Sequence, residues 1–176
     1  MYFRFHKEIS AALIILFLLV IFFYFIYKPL FFIFLILLIF TFYFFRDPER
    51  VVPLGDDILV SPADGLITNI SEYKEGKKSY TKVSIFLSVF NVHIQRLPVS
   101  GQITKIDYIE GKFINATLDK ASEENERLRL TLKSGSNVIY ITQIAGLIAR
   151  RIICYIKTNE SCLLYTSPSP RDNPAS

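Results

Sequence analysis

The chain has 176 residues, 51% of them hydrophobic, and a formal net charge of +4, which is enough for one domain with additions. So modest a charge, with no run of Lys or Arg, argues against a nucleic-acid surface, and two cysteines are too few for a disulfide framework. The apolar excess is uneven: 13 of the 16 Phe lie in the first 45 residues.

In chain order, the first predicted elements are two apolar segments. No residue from Ile9 to Tyr27 or from Pro29 to Phe45 is charged, and only Lys28-Pro29 interrupts the run. A bilayer core takes roughly 20 apolar residues as a helix, within a range of about 17–25, so residues 1–45 read as a transmembrane helical hairpin. A re-entrant hairpin is the alternative, and no signal-peptide cleavage site is visible. Arg4 and Lys7 precede the pair, Arg46 and Arg50 follow it, and the turn holds only Lys28. The positive-inside rule then puts both flanks, and the following domain, on the cytoplasmic side of the cell membrane.

Residues 46–160 read as a mainly β domain, a barrel or sandwich of short strands separated by turns. Ile58–Val60 leads into Pro62-Ala63-Asp64-Gly65, and Leu66–Ile70 resumes the alternation. Val83–Val89, Val92–Val99, Gly101–Ile109, Leu128–Leu132, Val138–Ile144 and Ile148–Ile156 are the further expected strands. Lys133-Ser134-Gly135-Ser136 is expected to turn a hairpin, and the polar stretch Leu118–Arg127 to form an ordered loop or a short helix.

Three stretches could carry chemistry. Asp64 sits in ordinary Pro-to-Gly turn chemistry, yet a rigid turn could also aim a carboxylate at a histidine or a cation. His93, one of two histidines, would share a strand face with Gln95 and Leu97. A lone strand histidine is commonly structural, and with no cysteine partner nearby it makes no zinc site. Asn125-Glu126-Arg127 closes a charged loop that is either solvated or able to bond a polar headgroup.

"FFRDPER", "SPADGLI", "FLSVFNVHIQRLPVSGQI", "GKFINATLDKASEENER" and "QIAGLIARRIICYI" follow one another in that order. Together, from about Phe44 to Ile156, they resemble the short, membrane-anchored form of phosphatidylserine decarboxylase. That resemblance implies conversion of phosphatidylserine to phosphatidylethanolamine and carbon dioxide. The cofactor it implies is a pyruvoyl group made from the chain's own serine by self-cleavage at a Gly-Ser bond, with no metal. The implied partners are membrane phosphatidylserine, the chain's own α chain after cleavage, and in some cases further copies as a homo-oligomer.

Residue by residue, Asp64 matches the family aspartate implicated in self-cleavage, and His93 matches the histidine assigned to decarboxylation and proton transfer. A second family histidine three residues on is Arg96 here, which cannot act as a base at neutral pH but could hold the lipid's carboxylate or phosphate. Asn91 stands where the family commonly has Asp. Asn125 and Glu126 match a family loop expected to meet substrate. The family's Gly-Ser follows its last motif, whereas Gly135-Ser136 precedes it, so the pyruvoyl serine is expected to be missing and the chain as given inactive. The rival expectation is a membrane-anchored β domain that binds a lipid or a partner without chemistry.

The end of the chain breaks the pattern. A reverse translation of Cys162–Asp172 fits the end of a sequencing adapter, so residues 161–176 are expected to be read-through and not native sequence.

Overall fold

The computed structural model describes residues 4–5, 10–48, 50–51, 55, 58–116 and 120–164. They fall into two compact units, the first comprising residues 1–51 and 87–94 and the second residues 52–86 and 95–176.

The first unit opens with β1 (Arg4–Phe5), followed by α1 (Ser10–Ile26), α2 (Lys28–Phe44) and β2 (Arg46–Asp47). Pro29 lies in the first turn of α2, where its missing N–H costs no intrahelical bond, and extended Tyr27 breaks the chain between the helices. Across this turn the rings of Phe23 and Phe34 stack at 5.2 Å, and Tyr24 meets Phe31 at 5.4 Å. β1 pairs antiparallel with β2, which brings the two flanks of the hairpin to the same end.

Within α1 and α2 only Val20 and Leu38 are buried, so apolar side chains cover both helices all round. Each helix has 17 residues and spans about 25 Å, against about 30 Å of bilayer hydrocarbon. Among the described residues no helix is long and apolar enough to cross a membrane. In place of the expected pair of full spans, the described residues form a short apolar helical hairpin, broken at Tyr27 and capped at Phe45.

In the second unit, β3 (Leu66–Glu75) and β4 (Lys78–Phe86) form a hairpin with a bulge at Thr68. After β5 (Gly101–Ile109) and the short α3 (Ala121–Glu124) come β6 (Arg127–Ser134), β7 (Asn137–Ile144) and β8 (Ser161–Cys162). These four strands make an antiparallel sheet in the order β7-β6-β5-β8. The sheet curls into half a barrel. The expectation of mainly β structure is met, but among the described residues the barrel is not closed.

Alternation built this sheet. Leu128, Leu130 and Leu132 are buried, while the intervening residues of β6 face outward. Ile103, Ile141, Leu97, Ile156 and Cys162 complete the core on that face. Gly135 at φ +57° takes the first position of a two-residue loop between paired Ser134 and Asn137, a conformation that primed hairpin turns require.

Several expected strands are not strands. Ile58–Val60, Val92–Val99 and Ile148–Ile156 lie outside any ladder, while the expected Val83–Val89 belongs to β4 as far as Phe86. In the first two the cause is visible: Val60 N–H donates to Pro98 O at 3.0 Å and Arg96 N–H to Pro62 O at 2.8 Å. These two bonds tie the segments together, and Pro98 and Pro62 have no N–H to extend the ladder. Ile152, Cys154 and Ile156 do pack on the core, so the last apolar run covers the sheet instead of joining it. The helical part of the expected Leu118–Arg127 stretch is Ala121–Glu124; Leu118 and Asp119 lie outside the described residues, as do Tyr165–Ser176 of the tail.

Candidate functional site

In the first unit, the loop Leu87–Ile94 shapes itself around Asn91. The Asn91 Oδ1 accepts from Ser88 N–H and from Ser88 Oγ, both at 2.8 Å, and Asn91 N–H returns to Ser88 O at 2.9 Å. Side-chain bonds of this kind let Asn close a turn in place of a ladder. Arg46 then ties the loop to the end of α2: its guanidinium donates to Phe90 O at 2.8 Å and to Tyr43 O at 2.7 Å. It also lies over the Tyr43 ring at 3.7 Å.

His93 is held in this setting, half-buried, with its ring stacked on Phe44 at 4.2 Å. Its Nδ1 lies 3.1 Å from Asn91 O. A carbonyl can only accept, so Nδ1 carries the proton and Nε2 keeps its lone pair. Burial lowers the pKa of the imidazole below its usual value; the Asn91 carbonyl opposes this, and the Arg46 charge adds to it. At neutral pH His93 is therefore an uncharged ring with a basic Nε2, a suitable proton acceptor.

The second unit brings together the turn of Asp64 and the segment of Arg96, through the two backbone bonds between residues 60–62 and 96–98. Gly65 permits a close approach there: a Cβ would stand 2.5 Å from Phe86 O. Asp64 and Arg96 are both half-buried. Arg96 also lines a pocket, with about 320 Å³ of empty space open to solvent, alongside Gln95, Gln143, Leu130, Ile141 and Cys154. Gln143 Oε1 is buried there without a hydrogen-bond partner. The Cys154 thiol has its pKa raised by burial, so it stays protonated and is a poor nucleophile.

Asn125 lies in the second unit, directly after α3. It is fully buried. Its Nδ2 donates to Ile114 O at 2.9 Å and Ala145 O at 2.8 Å, and its Oδ1 accepts Ile114 N–H at 3.0 Å. The side chain thus knits three backbone segments together. Glu126 beside it is half-buried and bonds the phenol of Tyr108, which raises that phenol's pKa above its usual value. Arg127 donates to the carbonyls of Glu123 and Asn125.

Sequence reasoning singled out none of Phe44, Arg46 or Gln143. The stretches "FFRDPER" and "QIAGLIARRIICYI" contain them, but nothing in their spacing marks one as a ring platform, one as a loop clamp, or one as a pocket-lining amide. Among the described residues no three of His, Cys, Asp or Glu are grouped as metal ligands.

A family model for phosphatidylserine decarboxylase matches residues 37–163. The chain belongs to the phosphatidylserine decarboxylase family. The match takes in Phe44, Asp64, His93, Arg96, Asn125, Glu126 and β8, so both site regions lie within its limits. Phosphatidylserine decarboxylases are lyases that act on a phospholipid, are generally membrane-associated, and depend in general on a pyruvoyl group. Gly135-Ser136 is the chain's only Gly-Ser pair. Both residues are exposed at the tip of the β6–β7 hairpin, and a Cβ on Gly135 would meet nothing within 4 Å.

Proposed function

We propose that this chain provides the proton-handling and lipid-holding parts of a phosphatidylserine decarboxylase, which removes the headgroup carboxylate as carbon dioxide. The observation that carries this reading is the family match over residues 37–163. The state of His93 supports it: a neutral ring with Nδ1–H bound to a carbonyl can take a proton at Nε2 and give it back. Phe44 fixes the ring plane, so the lone pair keeps one direction. Because Ser136 does not fit as the source of a pyruvoyl group, no step is assigned through that group.

Arg96, which lines its pocket, is proposed to hold the lipid's carboxylate or phosphate, for which a guanidinium offers paired donors. Asp64 on its clamped turn is proposed for self-processing. Glu126 is proposed to face the headgroup through its Tyr108 partner, and Asn125 to hold that loop in place. The short apolar hairpin is proposed to embed in the membrane. Its two flanks return together, as the β1–β2 pairing requires, on the cytoplasmic side.

The protein should release carbon dioxide from phosphatidylserine labelled in the headgroup carboxylate. His93→Ala should reduce the release by at least about 100-fold, and Asp64→Ala should leave the protein uncleaved. No release in any version, with the lipid still bound, would support the second reading, a non-catalytic lipid-binding β domain. What favours that second reading is the poor fit of Ser136.

A further inference from the structure

The segment after β7 carries a surface that the proposed chemistry does not use. Gly146 N–H donates to Ala149 O at 2.9 Å, which closes a tight turn with Leu147 and Ile148 at its tip. These side chains are 52% and 67% exposed, a large apolar area to leave in water. Arg150 and Arg151 follow directly and are also exposed. Arg150 Nε donates to Leu147 O at 2.9 Å, and its guanidinium lies 5.9 Å from the centre of the Phe113 ring, so the base of the turn is braced.

The surrounding charge is one-signed along the chain. From Arg127 to Asn159 there are six basic residues and no acidic one. The neighbouring acids belong to the preceding loop. There Glu124 is paired with Lys112 at 2.9 Å and Glu126 with Tyr108, while Glu110 and Glu123 are exposed. None of these lies on the turn itself.

We infer that the turn Gly146–Arg151 is a membrane-docking finger. Leu147 and Ile148 enter the acyl boundary of an anionic bilayer, and Arg150 and Arg151 meet its lipid headgroups. Two apolar tips with adjacent cations are what an interfacial contact needs: apolar area for insertion and positive charge for an anionic surface. A neutral bilayer would supply only the first, and an acidic protein partner only the second. This contact is additional to whatever the helical hairpin contributes.

The chain contains no tryptophan, which makes a site-specific test direct. Ile148→Trp is introduced into the full chain, which is reconstituted in phosphatidylcholine vesicles with or without phosphatidylglycerol. Using phosphatidylglycerol as the anionic lipid separates docking from recognition of a decarboxylase substrate, so failure here leaves the catalytic reading standing. Brominated acyl chains should quench this tryptophan in anionic vesicles and much less in neutral ones. Adding Arg150→Gln or Arg151→Gln should shift the inserted-to-withdrawn ratio roughly fivefold per arginine, the equivalent of about 1 kcal/mol for each cation near the surface. A Lys77→Trp reporter on the β3–β4 turn should remain unquenched. Leu147→Trp is the second reporter if Ile148→Trp fails to fold. Equal quenching with and without anionic lipid, or blue-shifted emission without quenching, as when a second copy or another protein segment covers the turn, would overturn the inference.

Discussion

His93 shows how one side chain's state follows from three neighbours. Phe44 removes water from one face, Asn91 O takes the Nδ1 proton, and Arg46 adds an unfavourable positive charge. All but the carbonyl contact disfavour the imidazolium. In the protein carrying His6→Gln, so that one histidine remains, an NMR titration should place the His93 midpoint below about 6.5, the ordinary value. The sign for stability follows: the fold prefers neutral His93, so its contribution is intact above about pH 6.5. That contribution falls as pH drops toward the lower folded midpoint, then levels. A midpoint above 6.5 would mean that an unseen carboxylate dominates the ring. Asn125 is the other residue with a sharp expectation. Its amide satisfies Ile114 N–H and two carbonyls in a fully buried position, so Asn125→Ala should cost about 3 kcal/mol in urea unfolding. A direct headgroup ligand would instead show a raised KM with little loss of stability. Both residues were visible in the sequence as candidates, but not their settings, because Asn125 partners 11 and 20 positions away and a Phe44 ring far back in the chain from His93 leave no mark on local spacing.

At the scale of elements, the β3–β4 hairpin is fastened to the four-stranded sheet by a small polar and aromatic group. The Arg129 guanidinium lies 5.8 Å from the Tyr73 ring and 5.3 Å from the Tyr140 ring, and 3.5 Å from a Glu75 oxygen. Tyr80 meets Tyr140 edge-on at 5.2 Å. Bonds to Glu75 and Tyr80 push the Tyr140 phenol well above its usual pKa. The Arg129 side chain is 31% exposed, so the ion pair by itself contributes little. Arg129→Ala should therefore cost only about 1 kcal/mol, yet raise hydrogen exchange selectively in β3 and β4. A uniform rise across β5–β7 would show that the hairpin and the sheet open as one. The β6–β7 turn makes the opposite kind of prediction. Since Gly135-Ser136 reverses the chain at an exposed hairpin tip, Ser136→Ala should leave the proposed self-cleavage unchanged, as read by gel. Loss of cleavage would make Ser136 the processed residue and overturn its reading as a turn.

For the whole molecule, regular alternation and turn chemistry were enough to place β5, β6, β7 and the Gly135 turn from the chain alone. Each is a local pattern: a period of two, bounded by residues that accept a reversed backbone. The same pattern failed at Val92–Val99 and Ile148–Ile156, since an apolar run reads alike whether it joins a ladder or lies across one. Which of these happens depends on backbone partners supplied from elsewhere, such as Pro62 and Pro98 for the segment of Arg96. The helical hairpin was legible from its missing charges, but its length was not, because the Tyr27 break and Phe45 cap are conformations and not compositions. Thus the sequence by itself determined the family, the candidate residues and the order of the mainly β elements. Only the tertiary structure decided that His93 is neutral with its proton on Nδ1, that Asn125 is a buried tie, and that Leu147 and Ile148 face water. The physical reason is that side-chain identity and period are local properties, whereas protonation, satisfaction of buried polar groups and exposure are set by atoms the fold brings from distant positions.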